Sequence, residues 1–575
     1  MHKLVKICRT KILPLLDDNL LALVEIVAET IVTGARQLPV KIAEIEKEKI
    51  KSASDVLKHE FGNEKINCEF LGYLYESLIE KRIGKDKQTE RRRSGAFYTP
   101  EYIAEFLVKA SFDAASHISG DPPRVLDPAC GCGAFLIAAW RELRKKFPRH
   151  DRRKIISRCL FGVDTDPIAV HIARISLWLE SGLENAGWQT LEVNIREGDS
   201  LRNFIETDFE RFDVVVGNPP YRNVKRGIPD DLKEFCKLHY RTAIGQWDLA
   251  APFVELALER LLKPGGAMGY VLPNPVLLAE NYAPVREIIL KNDPVSFGPA
   301  GMPFKEPGVE ASLLVVRTGE SKRGIVTILD GREGKKIRSV RKLTSILLHR
   351  LPFNIFSHRA EADELFPIFD SLASGKLIRL GDIVNITRGL EFGKKDRRIV
   401  PFTENIKGAY PLIVGESVNP FRAIPTFKFA PSIDSDLDFP KKPDLWAVKR
   451  QLLIRRVARR PIAAVVDPPK LVLNTIYIAG GIGFDEHSLC ALINSDYFAK
   501  LFIMIYAFDD TLFPYLRISQ LSRMPIPADA LNDRTLSDLS MRLHKMAGEG
   551  KDIKNDPEGS RLMKRVDEAV RELYS

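Results

Sequence analysis

Asn218-Pro219-Pro220-Tyr221 is the stretch of this sequence with the plainest chemical content. Two successive prolines stiffen the backbone and donate no hydrogen bonds, so their carbonyls and the Asn218 amide oxygen can present a rigid set of acceptors. Such acceptors suit an amine conjugated to a ring. Its lone pair is delocalised, and holding its two hydrogens on Asn218 Oδ1 and the Pro219 carbonyl favours the pyramidal nitrogen that nucleophilic attack requires. Tyr221 offers a face on which a flipped base can stack. The plainer alternative is an Asn-Pro-Pro turn with a packed tyrosine.

Asp213–Val216 reads as a strand, and Gly217 passes the chain from it to the tetrad. The carboxyl end of a strand is where open α/β sheets bind ligands. Three other strand ends carry matching chemistry. Val125-Leu126 runs into Asp127-Pro128-Ala129-Cys130-Gly131-Cys132-Gly133-Ala134-Phe135, where glycines let the backbone approach a ligand and an acid can engage a cationic or hydroxyl group. Gly162-Val163-Asp164-Thr165-Asp166-Pro167 ends a second strand in carboxylates. Asp164 is the candidate for the ribose hydroxyls of a nucleoside cofactor, whereas Asp166 more simply caps a helix starting at Pro167. Glu197-Gly198-Asp199-Ser200 follows a third short extended segment, and Asp199 can accept from an adenine amine.

Positioning these ends calls for an α/β domain with a largely parallel sheet. From Gly95 to about Thr318, short apolar runs do alternate with helical stretches. Strands are expected at Val125-Leu126, Leu160–Val163, Phe212–Val216, Met268–Leu272 and Ser312–Val316. Residues 1–90 read as a helical region, with Leu13, Leu16, Leu20, Leu23, Val24 and Val27 at helical spacing and a second helix over Cys68–Ile79. The charged run Lys81–Arg93 reads as a solvated connection. Residues 91–320 then form the catalytic domain, 321–375 a connector, and 376–575 a mixed α/β domain with a helical end from about Arg534 to Leu573.

With 575 residues, 45% hydrophobic and 28% charged, the chain is globular and long enough for several domains. A net charge of +10 favours a polyanionic partner. Seven scattered cysteines show no zinc spacing and read as reduced thiols of a cytoplasmic protein, with no metal expected. No apolar run has the length of a membrane span, so neither export nor a membrane is expected.

The ordered set Phe97-Tyr98-Thr99-Pro100, DPACGCGAF, GVDTDP, EGDS and NPPY resembles the gamma class of amino-methyltransferases, the TaqI-type DNA adenine methyltransferases of type II and IIG restriction-modification systems. The likeness continues through Leu261–Gly266 and Tyr270–Asn274. It implies a Rossmann-like, S-adenosylmethionine-dependent fold and direct methyl transfer to adenine N6 of a flipped base. By position it implies that Thr99 holds the cofactor's amino-acid end. Asp127 and Ala129 would border its methionine part, Asp164 would bind the ribose, Thr165 would flank the adenine and Asp199 would bind its amine, with Gly131 and Ser200 also among the cofactor-binding residues. Asn218, Pro219, Pro220 and Tyr221 would hold the target base, with Phe304 completing the clamp. Adenine over cytosine N4 rests on the resemblance, because the acceptors suit either amine. Cys132 stands where the family usually has serine, and both are small enough for the loop.

The C-terminal part resembles the target-recognition domains of the same group through Thr387-Arg388-Gly389, Arg455–Pro461, Asn474-Thr475 and Met524–Pro527. Arg455, Arg456, Arg459 and Arg460 could grip phosphates or read guanine edges. Duplex DNA is thus the expected partner, with a separate cognate restriction endonuclease alongside and a monomer as the working unit. Two rivals stand beside this reading. One is an NPPY enzyme acting on RNA or on protein glutamine, and the other is a DNA-binding relative without catalysis. A fused nuclease is not expected, since residues 1–90 contain no acid followed by an E-x-K pair; the N-terminal helices then serve as scaffold.

Overall fold

The computed structural model describes every residue except 1–5, 7, 14–19, 32–46, 62–68, 83–98, 117, 119, 183–186, 226, 305–309, 321–323, 334–335, 392–395, 431–449 and 507–514. Leu16, Cys68, Phe97, Tyr98 and most of the charged run after Arg82 therefore lie outside the described residues. Two compact units emerge, Met1–His349 with Phe353–His358, and Arg350–Pro352 with Arg359–Ser575.

The first unit is built on a nine-stranded sheet. Its strands are β1 (Val125–Asp127), β2 (Leu160–Asp164), β3 (Ile195–Glu197), β4 (Phe212–Gly217), β5 (Leu262–Pro273), β6 (Asp293–Gly301), β7 (Ala311–Arg317), β8 (Ile325–Asp330) and β9 (Arg338–Thr344). Their order is β3-β2-β1-β4-β5-β7-β6-β8-β9. β1 to β5 run parallel, and β7 is antiparallel to both β5 and β6. The central strands are apolar runs buried along nearly their whole length, as strands covered on both faces must be. The order in which strands are added reverses at β1, so the carboxyl ends of β1 and β4 open a crevice where a topological switch point places ligands.

Five of these strands fall where the apolar runs place them. β6 is not anticipated by the sequence: Asp293-Pro-Val-Ser-Phe-Gly-Pro-Ala-Gly301 holds two prolines and two glycines, which speak against a strand. It forms because β7 supplies a full antiparallel partner, with register shifts at both prolines. β8 and β9 lie in the stretch expected to be connector, and there they extend the sheet instead.

The described helices of the first unit include α1 (Leu20–Ile31), α2 (Lys47–Phe61), α3 (Glu69–Arg82), α4 (Glu101–Ala114), α5 (Ala134–Lys146), α6 (Pro167–Ser181) and α7 (Ser200–Glu206). Helix α6 starts as its sequence dictates: Asp166 accepts from the Ile168 and Ala169 amides at 3.0 and 3.3 Å, and Pro167 occupies the first position. Helices α1 and α3 pack on α6. Two polar ties fix them there, Tyr75 Oη donating to Asp166 Oδ2 at 2.8 Å and His171 Nε2 lying 3.0 Å from the buried Glu25 carboxylate.

The second unit contains an antiparallel sheet in the order Asn385–Arg388, Ile476–Gly480, Gln451–Arg455, Ala463–Val466. A smaller sheet joins Ile399–Pro401, Phe427–Phe429, Tyr410–Ile413 and Leu471–Val472. Helices Glu486–Asn494, Asp496–Tyr506, Arg534–Gly548 and Pro557–Tyr574 complete it, the last two within the stretch expected to be helical. Among the described residues no single helix is long and apolar enough to cross a membrane, and no group of His, Cys, Asp and Glu side chains is arranged to hold a metal.

Candidate active site

β4 delivers the tetrad to the crevice. The Asn218 amide nitrogen donates to Thr99 Oγ1 at 3.1 Å, and that threonine is itself buried just ahead of α4. Tethering the nitrogen fixes the orientation of the amide and so the place where Oδ1 accepts; Oδ1 is buried. Pro219 is buried beside it, and Pro220 is partly covered. The Tyr221 ring meets the Phe304 ring edge to face, with centroids 6.0 Å apart and planes at 74°. Two rings far apart in sequence are thus brought into contact. Burial pushes the Tyr221 phenol well above its ordinary pKa, so it stays neutral.

The glycine-rich loop leaves β1 next to this site. Asp127 is buried, and its Oδ1 accepts from the Ala129 amide at 3.1 Å. Burial raises its pKa well above the usual carboxylate range, and nearby Asp164 adds to the effect. Gly217 is required at the junction, because a Cβ there would stand 2.7 Å from Asp127 Oδ1. The end of β1 and the start of the tetrad are therefore in contact. Gly131 sits at φ +48°, a left-handed value that favours glycine, and nothing lies within 4 Å of where its Cβ would point. Open space above a glycine loop is what close approach of a ligand needs.

Asp164 closes the other side. Its Oδ2 accepts from the Gly131 amide at 2.8 Å and its Oδ1 from the Asp166 amide at 2.9 Å. The carboxylate is thereby locked with acceptor capacity to spare, while burial raises its pKa despite these bonds. Thr165 follows it on the same turn. Asp199 caps α7 through the Leu201 amide at 3.0 Å, so one of its oxygens already has a structural duty. Ser200 is buried with its hydroxyl donating to the Pro128 carbonyl at 2.7 Å, tying the loop after β3 to the loop after β1.

Two residues enter the neighbourhood to which the sequence assigned no role, Asp248 and the Tyr270 that opens the Tyr270–Asn274 likeness. Asp248 is buried, accepts from Tyr282 Oη at 2.6 Å and from the Ala250 amide at 3.0 Å, and acts electrostatically on Tyr221. Burial pushes its carboxyl up to about 6. Tyr270 on β5 is fully buried, and its ring comes within 3.6 Å of the Gly217 Cβ position. Tyr270 and Asp127 are thus the polar side chains flanking Gly217. Burial, reinforced by the Asp127 carboxylate, holds the Tyr270 phenol well above its ordinary pKa.

The four arginines of the second unit divide. Arg455 Nε donates to the Val457 carbonyl at 2.8 Å. Arg460 pairs with Asp496 and donates to the Asn494 and Ser495 carbonyls at 2.6 and 3.0 Å. Arg459 is exposed. Arg456 lines a cavity with Arg388 and Arg517, two residues outside the arginine cluster itself.

Residues 158–297 match the Eco57I restriction-modification methylase family, and residues 410–526 match the TaqI-like C-terminal specificity domain. The adenine-specific methyltransferase PglX of Streptomyces coelicolor is 27% identical over 282 residues, covering 39% of this chain and 22% of the relative. The type II restriction enzyme and methyltransferase RM.Eco57I of Escherichia coli is 25% identical over 285 residues, 40% of this chain and 27% of that one. The type II methyltransferase M.BanIII of Aneurinibacillus aneurinilyticus is 30% identical over 224 residues, 38% of this chain and 36% of the relative. The matches thus span well under half the length of these relatives. Among solved structures, the type IIL restriction-modification enzyme MmeI in complex with DNA superposes with a TM-score of 0.60 at 13% identity, covering 99% of this chain and 90% of that one. A nuclease-deletion mutant of the type ISP enzyme LlaGI gives a TM-score of 0.54 at 13% identity over 96% of this chain and 54% of the other. The chain therefore carries an Eco57I-type restriction-modification methylase segment followed by a TaqI-like C-terminal specificity domain, on a fold shared with MmeI.

Proposed function

We propose that this chain is a site-specific DNA methyltransferase that transfers a methyl group from S-adenosylmethionine to adenine N6 in a flipped-out base, the activity numbered EC 2.1.1.72. In this proposal it works as a cytoplasmic monomer, the modification component of a restriction-modification system with a separate cognate endonuclease. The observation that carries the reading is the meeting of Asn218, oriented by Thr99, with a Tyr221–Phe304 ring pair beside the Asp127–Gly217 junction. The adenine preference draws support from the adenine-specific description of PglX.

The residues fit the cofactor: a glycine loop with open space above Gly131, and a carboxylate at Asp164 already oriented by two amides. When bound, S-adenosylmethionine supplies a sulfonium-activated methyl that a nitrogen lone pair can take while the carbon–sulfur electrons leave on the thioether. Asp164 would hold the ribose hydroxyls, Asp199 the adenine amine, and the Asp127–Gly131 loop the methionine part. Asn218 Oδ1 and the Pro219 carbonyl accept the hydrogens of the target amine and concentrate electron density on its nitrogen. Tyr221, with Phe304 beside it, would offer a ring surface to the base. The protein contributes orientation and acceptor placement rather than a covalent intermediate.

The test is incubation of the purified chain with methyl-labelled cofactor and a library of DNA duplexes, followed by digestion to nucleosides. Label in N6-methyladenine at one sequence context is the expected result. Label in N4-methylcytosine would correct the base, and transfer only to RNA or protein would overturn the proposal.

A further inference from the structure

Three arginines of the second unit line one hollow. Arg388, Arg456 and Arg517 line a cavity of about 470 Å³ together with Tyr477, Tyr515 and Ser519, and among the described residues no carboxylate lines it. Among the described residues none of these three arginines is ion-paired with an acid, whereas Arg398, Arg460 and Arg542 of the same unit each are.

Backbone pairing alone brings the three together. Arg388 stands opposite Tyr477 on the neighbouring strand, and Tyr477 in turn pairs with Ile454. Arg456 follows that third strand, its amide donating to the Thr475 carbonyl at 3.0 Å and its carbonyl accepting from the Leu516 amide at 2.9 Å. The Leu516 bond carries Tyr515 and Arg517 to the rim. Tyr477 is buried and donates to the Leu516 carbonyl at 2.7 Å, and Arg388 and Arg456 lie close enough to act on its phenol electrostatically. The Arg456 guanidinium lies 5.4 Å from the Tyr515 ring centroid, and its Nε is buried without a hydrogen bond.

Like charges so confined repel, and a buried N–H without an acceptor costs free energy. One oxyanion in the hollow answers both, because it neutralises the cluster and supplies acceptors in the fork geometry that guanidinium groups favour. We propose that this hollow seats a backbone phosphate of duplex DNA, holding the duplex in place without reading its sequence. The proposal rests on the DNA reading given above. A phosphodiester and inorganic phosphate present the same oxygens. DNA is the favoured source because the chain carries a net charge of +10 and because Arg456, Tyr477, Tyr515 and Arg517 fall within the TaqI-like specificity domain.

The experiment uses the purified full chain and its Arg388→Gln and Arg517→Gln variants. Binding of a random-sequence duplex is followed by fluorescence anisotropy across a salt series, and cofactor affinity is measured on the same samples as a check of folding. Each variant is expected to bind the duplex on the order of tenfold more weakly at low salt and to lose about one from the log–log salt slope, with cofactor affinity unchanged. Inorganic phosphate should protect the wild-type chain against thermal unfolding more than chloride at equal ionic strength, and Arg388→Gln should remove the difference. Unchanged affinity and slope in both variants would overturn the inference while leaving methyl transfer standing. Loss confined to one DNA sequence, with random-duplex binding intact, would overturn it in favour of base reading. Phosphate protection in a wild-type chain that binds no duplex would overturn the DNA assignment here and the proposed substrate together.

Discussion

An asparagine presents a fixed acceptor only while its amide is prevented from turning, and Thr99 is the residue that prevents it, through the 3.1 Å bond to Asn218 Nδ2. Removing that hydroxyl in Thr99→Val should lower kcat by about tenfold, the scale of one weakened hydrogen bond in a transition state, and leave the Tyr221–Phe304 ring contact intact. Thr99→Ser should restore most of the rate; single-turnover methylation of a duplex substrate measures both, and equal rates for Val and Ser would place the role of Thr99 elsewhere. Asp248 gives a second prediction, on stability. Its folded pKa of about 6 lies above the ordinary 3.8, so the native state binds the extra proton. Its favourable contribution is complete below the unfolded pKa and is lost as pH rises through about 6. At about 1.4 kcal/mol per pKa unit the gap amounts to about 3 kcal/mol. Asp248→Asn keeps the shape and can still pair with Tyr282 and the Ala250 amide, so the variant should show a flatter stability profile between about pH 4 and 6 and be the more stable of the two near neutrality. Urea unfolding across that range decides it, and parallel curves would mean that Asp248 is charged in the folded protein.

At the scale of elements, the site is made by two adjacent strand ends pressed together at Gly217. Gly217→Ala places a methyl 2.7 Å from Asp127 Oδ1, and Asp127 is buried with its own loop held on the same oxygen. The clash should cost about 1–3 kcal/mol of stability and displace the loop that follows β1. Thermal unfolding and cofactor binding should therefore both weaken, whereas a variant with unchanged affinity would show that the junction yields. This junction was legible in sequence because Asp127, Asp164 and Asn218 are chemically constrained types at strand ends, and Asp166 could be assigned to the helix cap from Pro167 alone. Phe304 was reached through the family resemblance, and its ring contact with Tyr221 is a tertiary fact that spacing does not contain. Asp248 escaped notice, and Tyr270 was noted only within the Tyr270–Asn274 likeness with no role of its own, for a different reason. A single acid after Trp247 resembles any surface acid, and a tyrosine inside Gly-Tyr-Val-Leu-Pro resembles strand core; only burial separates them from those readings. β6 was hidden by its own prolines and glycines, and β8 and β9 by the irregular text around them, since pairing with distant partners overrode local preference.

Across the whole molecule the two kinds of chemistry are assigned to different units. Every candidate cofactor and base residue, from Thr99 to Phe304, lies in the first unit, and the arginine hollow lies in the second. The helices α1 and α3 belong with the first: Tyr75 holds Asp166, whose amide in turn donates to Asp164, so the N-terminal helices reach Asp164 through two hydrogen bonds. Ligand binding should be visible as protection against amide exchange in the unit that holds the ligand, because binding the native state suppresses the openings that expose its amides. Cofactor at about 100 times its Kd contributes about 2.7 kcal/mol, enough to slow exchange by about a hundredfold where exchange requires release of the ligand. That protection is expected at 125–135, 160–168 and 195–203, and also in α3 through the Tyr75 tie. Duplex DNA added afterwards should protect 385–389, 454–458 and 515–519. A Tyr75→Phe chain should keep the cofactor effect around β1 while losing it in α3. Cofactor protection that skipped the β1 and β2 ends altogether would remove Asp127 and Asp164 from the cofactor's site, whatever happened in the second unit.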